Sequence, residues 1–147
     1  MQKIKVMLDE GAYMPTRAHE TDAGLDLYAT KDAVIFRHGS EKFDTGVHIE
    51  IPKGYVGFLK SKSGLNVNQG IQSAGVIDSG YTGSICVKLY NHGFEAVRIR
   101  KGQKISQLVL LPIVTPEIEL VDKLDETERG DGGFGSTGIG YCDGVIE

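Results

Sequence analysis

The feature that most limits the fold of this chain is a period of two. IKVML (4–8), LDLYA (25–29), AVIF (33–36), FDTGVHIEI (43–51), YVGFLKS (55–61), SICVKLY (84–90), AVRIR (96–100) and ISQLVLLPIV (105–114) alternate in polarity or are rich in β-branched and aromatic residues. Such segments fit a pleated, half-buried surface and not a helix face. PKGY (52–55) and NHGF (91–94) supply the residues that turns need. Many short strands at this spacing predict a sandwich or barrel. Helix is scarce. SGLNVNQG (63–70) has room for one or two turns, and TPEIELVDKLDE (115–126) is predicted to hold a strand through Val121 before a polar exit.

At 147 residues the chain is long enough for one domain with its own core. A net charge of −4 disfavours a nonspecific grip on nucleic acid. No apolar run reaches membrane-spanning length, and the N-terminus lacks the apolar region of a signal peptide. The two cysteines, Cys86 and Cys142, are too few for a disulfide framework. Cys86, in an apolar run, is expected to be a buried thiol, and a reducing cytoplasm is the expected setting. Past Glu128 the composition shifts to glycine. The predicted division is a β domain over 1–128 and a flexible arm and tail over 129–147.

Four stretches depart from ordinary strand or turn sequence. TDAGLDLYA (21–29) sets Asp26 inside an apolar strand, and KSKSGL (60–65) combines lysines, hydroxyls and a glycine. GVIDSGYTG (75–83) places Asp78 and Tyr81 among glycines, and KGQKISQL (101–108) carries Gln107 in an apolar run. Each has a plain structural explanation. Asp26 can face solvent at a strand end, the serines and glycine can make a simple loop, Asp78 can cap a turn, and Gln107 can sit on a half-exposed strand. Together they suggest more. SKSG and GFGST both offer hydroxyls, unhindered backbone N–H groups and a nearby cation, which is what a polyphosphate cradle requires. Two such loops and two isolated carboxylates suggest a phosphorylated ligand with a metal ion. Phe134 adds a flat face for a base.

In this order and spacing the stretches resemble the five motifs of the trimeric deoxyuridine triphosphate nucleotidohydrolases, the dUTPases. AGLDL (23–27) resembles the first, KSGL (62–65) the second, GVIDSGYTG (75–83) the third, KGQKISQL (101–108) the fourth and RGDGGFGSTG (129–138) the fifth. The resemblance runs from about residue 14 to Gly138. It implies an all-β, distorted jelly-roll barrel with at most one short helix and a flexible C-terminal arm. It also implies a homotrimer with interfacial active sites, and hydrolysis of dUTP to dUMP and pyrophosphate.

The residue roles follow from the same resemblance. Asp78 would orient the water for in-line attack on the α-phosphate, and Mg²⁺ would bind the phosphates, with Asp26 reaching it through a water. Lys62, Ser63 and Gly64 would hold phosphate oxygens, with Gln107 nearby. Gln72, Val76, Ile77 and Cys86 belong to the strand–turn–strand that would read uracil through the backbone, and Tyr81 would exclude a 2′-hydroxyl. Arg129, Gly135, Ser136 and Thr137 would close on the phosphates while Phe134 covers the base. The second motif departs from the family's Pro-Arg-Ser-Gly, with Ser61-Lys62-Ser63-Gly64 in its place, so a planar fork is replaced by a point charge. Gly80 stands where the third motif commonly has an acidic residue. Two other functions share these features. A dCTP deaminase would need a glutamate where Lys88 stands, and a dUTP-binding regulator would bind without turnover. The expected location is the cytoplasm, that of the host if the gene is viral.

Overall fold

A computed structural model describes residues 3–138 and 140. Most of the predicted strands form, with boundaries that follow pairing partners, and one strand, over 71–77, forms outside the alternating stretches. The strands are β1 (Lys5–Leu8), β2 (Gly24–Tyr28), β3 (Ala33–Ile35), β4 (Ser40–Asp44), β5 (Val47–Glu50), β6 (Tyr55–Ser61), β7 (Ile71–Ile77), β8 (Cys86–Asn91), β9 (Val97–Ile99) and β10 (Lys104–Pro112). One helix, α1 (Ser63–Gln69), joins β6 to β7. The main sheet has the order β2-β10-β6-β7-β8-β4, and two small sheets pair β1 with β5 and β3 with β9. Among the described residues the structure is all-β with a single short helix and a curled sheet.

Alternation builds the core. β8 shows it most simply: Val87, Leu89 and Asn91 point inward while Cys86, Lys88 and Tyr90 face out. Leu27, Phe43, Ile71, Ile85, Ile99, Ile105 and Leu108 share the interior. Asn91, though polar, is satisfied there, donating from Nδ2 to the carbonyls of Ile35 at 2.9 Å and Glu95 at 2.8 Å.

Three expectations are corrected. FDTGVHIEI is not one strand: Gly46, at φ 64, breaks it into β4 and β5, and a Cβ there would come within 2.8 Å of the Ala12 methyl. Cys86 is exposed, because the inward set of β8 begins one residue later. No strand reaches Val121. β10 ends at Pro112, opposite the first residue of β6, Tyr55, and the last rung is Ile113 N–H to the Gly54 carbonyl. Residues 114–121 then run exposed without regular structure, Ile118 and Leu120 almost wholly so.

The chain divides into two compact units, one to Thr115 and one from Pro116. The described part of the second unit has turns and no strand or helix. Cys142 and the rest of 141–147 lie outside the described residues.

Candidate active site

The first, second and fourth sequence stretches meet at one place on the main sheet. β10 runs antiparallel between β2 and β6, with Gln107 opposite Asp26 on one side and opposite Lys60 on the other. Asp26 is only 4% exposed, the outcome of a strand buried along most of its length. Its carboxylate accepts from Lys62 Nζ at 2.5 Å through Oδ1 and from Lys104 Nζ at 2.7 Å through Oδ2. Burial pushes this carboxyl up, but the hydrogen bonds and charges of Lys104 and Lys62 outweigh it and hold the pKa below the ordinary value. Asp26 in turn raises Lys104. Lys104 lies within the fourth stretch, yet sequence reasoning gave it no role.

Lys62 is the last residue before α1 and makes no side-chain cap. The first intrahelical bond runs from Asn66 N–H to the Lys62 carbonyl, so the N–H groups of Ser63 and Gly64 precede the helical ladder. A Cβ at Gly64 would meet nothing within 4 Å, so space lies open beside it. Gln107 is held above this point by Nε2–H donation to the Ser61 carbonyl at 3.0 Å. Behind it, the Ser61 hydroxyl donates to the Ser73 carbonyl and accepts from the Ser73 N–H, and the Ser73 and Ser106 hydroxyls lie 2.8 Å apart. These three serines fix the end of β6 from beneath.

The third stretch lies elsewhere. β7 pairs with β8 only over Ile71↔Asn91, Gln72↔Tyr90 and Ser73↔Leu89, whereas its pairing with β6 continues to Gly57↔Ile77. The two strands part after Ser73, so the backbone of 74–77 faces β8 without a ladder. Val76 is exposed and Ile77 buried on this segment, and Cys86 is exposed on the facing strand. Gln72 sits below the split, its Oε1 2.8 Å from His92 Nε2. Exposed Asp78 follows the strand directly, and Tyr81 N–H donates to the Asp78 carbonyl at 3.0 Å. The Tyr81 hydroxyl donates to the Ser84 carbonyl at 2.9 Å, laying the ring across Gly83. Lys88 faces out, with Nζ 5.2 Å from the Tyr90 ring centroid.

In the second unit, Arg129 Nε–H donates to the Gly132 carbonyl at 2.9 Å, and Ser136 N–H donates to the Gly133 carbonyl. Arg129, Ser136 and Thr137 line one shallow concavity. Phe134, at φ 47 with a fully exposed ring, and Gly135, at φ 103, form the tight bend above it. The fifth stretch therefore gathers a cation and two hydroxyls on its own.

The dUTPase family model matches residues 10–138. The deoxyuridine 5′-triphosphate nucleotidohydrolase of Clostridium tetani is 43% identical over 139 residues, covering 92% of this chain and 95% of the relative. That of Eremothecium gossypii is 43% identical over 92% of this chain and 90% of its own length. Among solved structures, the dUTPase of Staphylococcus bacteriophage 80alpha with dUPNHPP superposes at a TM-score of 0.88. It is 32% identical and is covered in full by 95% of this chain. A mutant dUTPase of phage phi11, described for its coordination of a structural Mg(II) ion, is 31% identical with a TM-score of 0.75, over 83% of this chain and 98% of that one. With the clustered lysine-bound aspartate, the parted strands and the glycine-rich bend all falling within the matched residues, the chain belongs to the dUTPase family.

Proposed function

We propose that this protein hydrolyses dUTP to dUMP and pyrophosphate, taking the nucleotide as its magnesium complex. The observation that carries the reading is the parting of β7 from β8, which opens a main-chain edge that ends at an exposed aspartate. Backbone N–H and C=O groups on 74–77 can pair with the polar edge of uracil. A thymine methyl would clash there and a cytosine amino group would meet a donor, so mismatched buried polar groups provide the rejection. Tyr81 packs under the deoxyribose. Asp78 orients a water toward the α-phosphorus, and the step depends on positioning and charge neutralisation.

Ser63, Gly64 and Lys62 hold the phosphates, with Gln107 fixing the backbone beside them. Among the described residues no three His, Cys, Asp or Glu side chains converge on a metal position. Both oxygens of Asp26 already hold ammonium groups. Mg²⁺ carried by the nucleotide would neutralise phosphate charge, and Asp26 would hold it through a water in competition with Lys62 and Lys104.

The spacing supports sites shared between subunits, and the resemblance to the trimeric dUTPases makes a homotrimer the assembly we propose. Ser73 is level with Ser61, and Asp78 lies five residues further on, roughly 16 Å at strand rise. One triphosphate is too short to bring its α-phosphorus to Asp78 while resting on Ser63 of the same chain. Asp78 thus serves phosphates held by a neighbouring subunit, and Arg129, Phe134, Gly135, Ser136 and Thr137 close a site of the trimer. No described helix is long and apolar enough to cross a membrane.

Incubation with Mg²⁺ and dUTP tests the reading: pyrophosphate should appear with dUMP. Release of ammonia from dCTP instead would make the protein a deaminase, and tight dUTP binding with neither product would make it a binder.

A further inference from the structure

We propose that His48 is a positioning residue for the turn that carries Asp78 and Tyr81, clasping it through the Thr82 carbonyl and braced from behind by Asp9. This rests on the proposed role of Asp78 and Tyr81. His48 lies on β5 with its side chain 17% exposed. Its Nδ1 is 2.8 Å from the Thr82 carbonyl oxygen and its Nε2 is 3.1 Å from Asp9 Oδ1. A carbonyl and a carboxylate only accept, so both contacts are hydrogen bonds only when both ring nitrogens carry protons. A neutral ring keeps one contact and loses the other, depending on its tautomer.

Thr82 immediately follows Tyr81, at the head of the turn. The foot of the turn is fixed separately, by the Thr45 N–H and hydroxyl to the Ile85 carbonyl at 3.1 and 2.6 Å and by Ile85 N–H to the Val47 carbonyl at 2.9 Å. The Ser84 hydroxyl donates to Asp44 Oδ1. The contacts of Tyr81 with Asp78 and Ser84 lie inside the turn and do not tie it to the sheet. Among the described residues, the side chain that grips the head from outside the turn is His48.

The charged surroundings favour the doubly protonated ring. The Thr82 carbonyl first and then the Asp9 carboxylate raise the His48 pKa, and Asp44 adds to them. The adjoining charges on β1 and β5, Lys5 and Glu50, form their own ion pair at 3.0 Å. Because the folded value is raised, the clasp is complete below the ordinary histidine value of about 6.5 and is lost as pH rises through the raised one. The β4–β5 corner thereby sets how firmly Asp78 and Tyr81 are held, although neither residue touches it.

The test compares wild type with His48→Ala, His48→Asn, whose amide can still donate toward Thr82, and Asp9→Asn. The His48 ring should titrate above about 6.5 by NMR in wild type and fall toward that value in Asp9→Asn. Amide exchange over 78–85 should speed up about tenfold in His48→Ala and return toward wild type in His48→Asn. With dUTP, His48→Ala should lose kcat and gain relative activity on UTP, and His48→Asn should recover both. If the ring titrates like free histidine and exchange is the same in all four proteins, the clasp does not exist, whatever the activity. If the exchange pattern holds but wild type releases no pyrophosphate, the clasp stands and the dUTPase reading fails. Changed exchange with unchanged kcat and unchanged UTP discrimination would overturn the positioning role.

Discussion

Lys104 Nζ lies 2.7 Å from Asp26 Oδ2, and through this contact the first residue of β10 is bound to the middle of β2. The contact spans a bulge, where the register of the two strands shifts between Lys104 and Ser106. The bulge places the lysine ahead of its ladder position, and Lys62 completes the carboxylate from the other side. An aspartate at 4% exposure is thus charged at no desolvation loss that its partners do not offset.

This arrangement gives the protein an acid-dependent element of stability. The folded pKa of Asp26 is depressed, so its contribution is present above the unfolded value of about 3.8 and is lost as pH falls through the folded value. Asp26→Asn should cost about 1–2 kcal/mol at neutral pH, a figure reduced because both lysines remain partly in solvent. Urea unfolding of both proteins from pH 7 down to pH 2 should show the difference shrinking below about pH 3.8. A difference that stayed constant would mean that shape, not charge, makes Asp26 necessary.

Asp78→Asn should retain binding of a non-hydrolysable dUTP analogue and lose about a hundredfold or more in kcat, because only the orientation of water is removed. Calorimetry with the analogue and stopped-time assays separate the two effects. A variant retaining a tenth of wild-type turnover would exclude Asp78 as the water-orienting group.

Gly83 provides a way to move Tyr81 without deleting it. A Cβ at Gly83 would stand 2.5 Å from the Tyr81 hydroxyl oxygen and 2.6 Å from Cζ, so the ring must shift. Gly83→Ala should therefore narrow the preference for dUTP over UTP, measured as the ratio of kcat/KM values, while leaving the fold intact. An unchanged ratio would remove the Tyr81 ring from sugar discrimination.

Mixed assemblies test both the proposed trimer and the sharing of its sites. A chain truncated after Glu128 and a full-length Asp78→Asn chain should each be inactive. If the glycine-rich segment of one subunit closes over another subunit's Asp78, equal mixing completes about a quarter of the sites. Co-refolded mixtures, with mixed trimers verified by mass, should recover activity near that level. Verified mixed trimers that stay inactive would point to a self-contained subunit.

The strands were legible because alternation is a local property, and nine of the ten overlap the stretches that alternation marked; β7 (Ile71–Ile77) is the exception. What escaped were features set by registration between distant segments. FDTGVHIEI alternates straight through Gly46, and nothing within it shows that the chain must turn against Ala12. The apolar run around Cys86 marks a strand but not which alternate set faces inward, which the neighbouring ladders decide. The strand expected through Val121 had the right composition and no partner, since β6 begins at Tyr55. Asp26 was recognised as unusual, yet its partner Lys104 is remote in sequence and is delivered by the β2–β10 register. Nothing in the sequence connected His48 with Thr82, because an alternating histidine and a threonine in the third motif look unrelated until folding sets them 2.8 Å apart.

The parting of β7 and β8 bears on how this molecule can change over generations. If the peptide groups of 74–77 read the base as proposed, recognition is carried by atoms that every residue but proline possesses. Ala74 and Val76 point outward there and can be replaced by other residues without altering the pattern of donors and acceptors. Drift in side chains can therefore accumulate along this edge while the choice of base stays fixed. Losing that choice requires moving the strand itself, and β6 holds it in register on the opposite side.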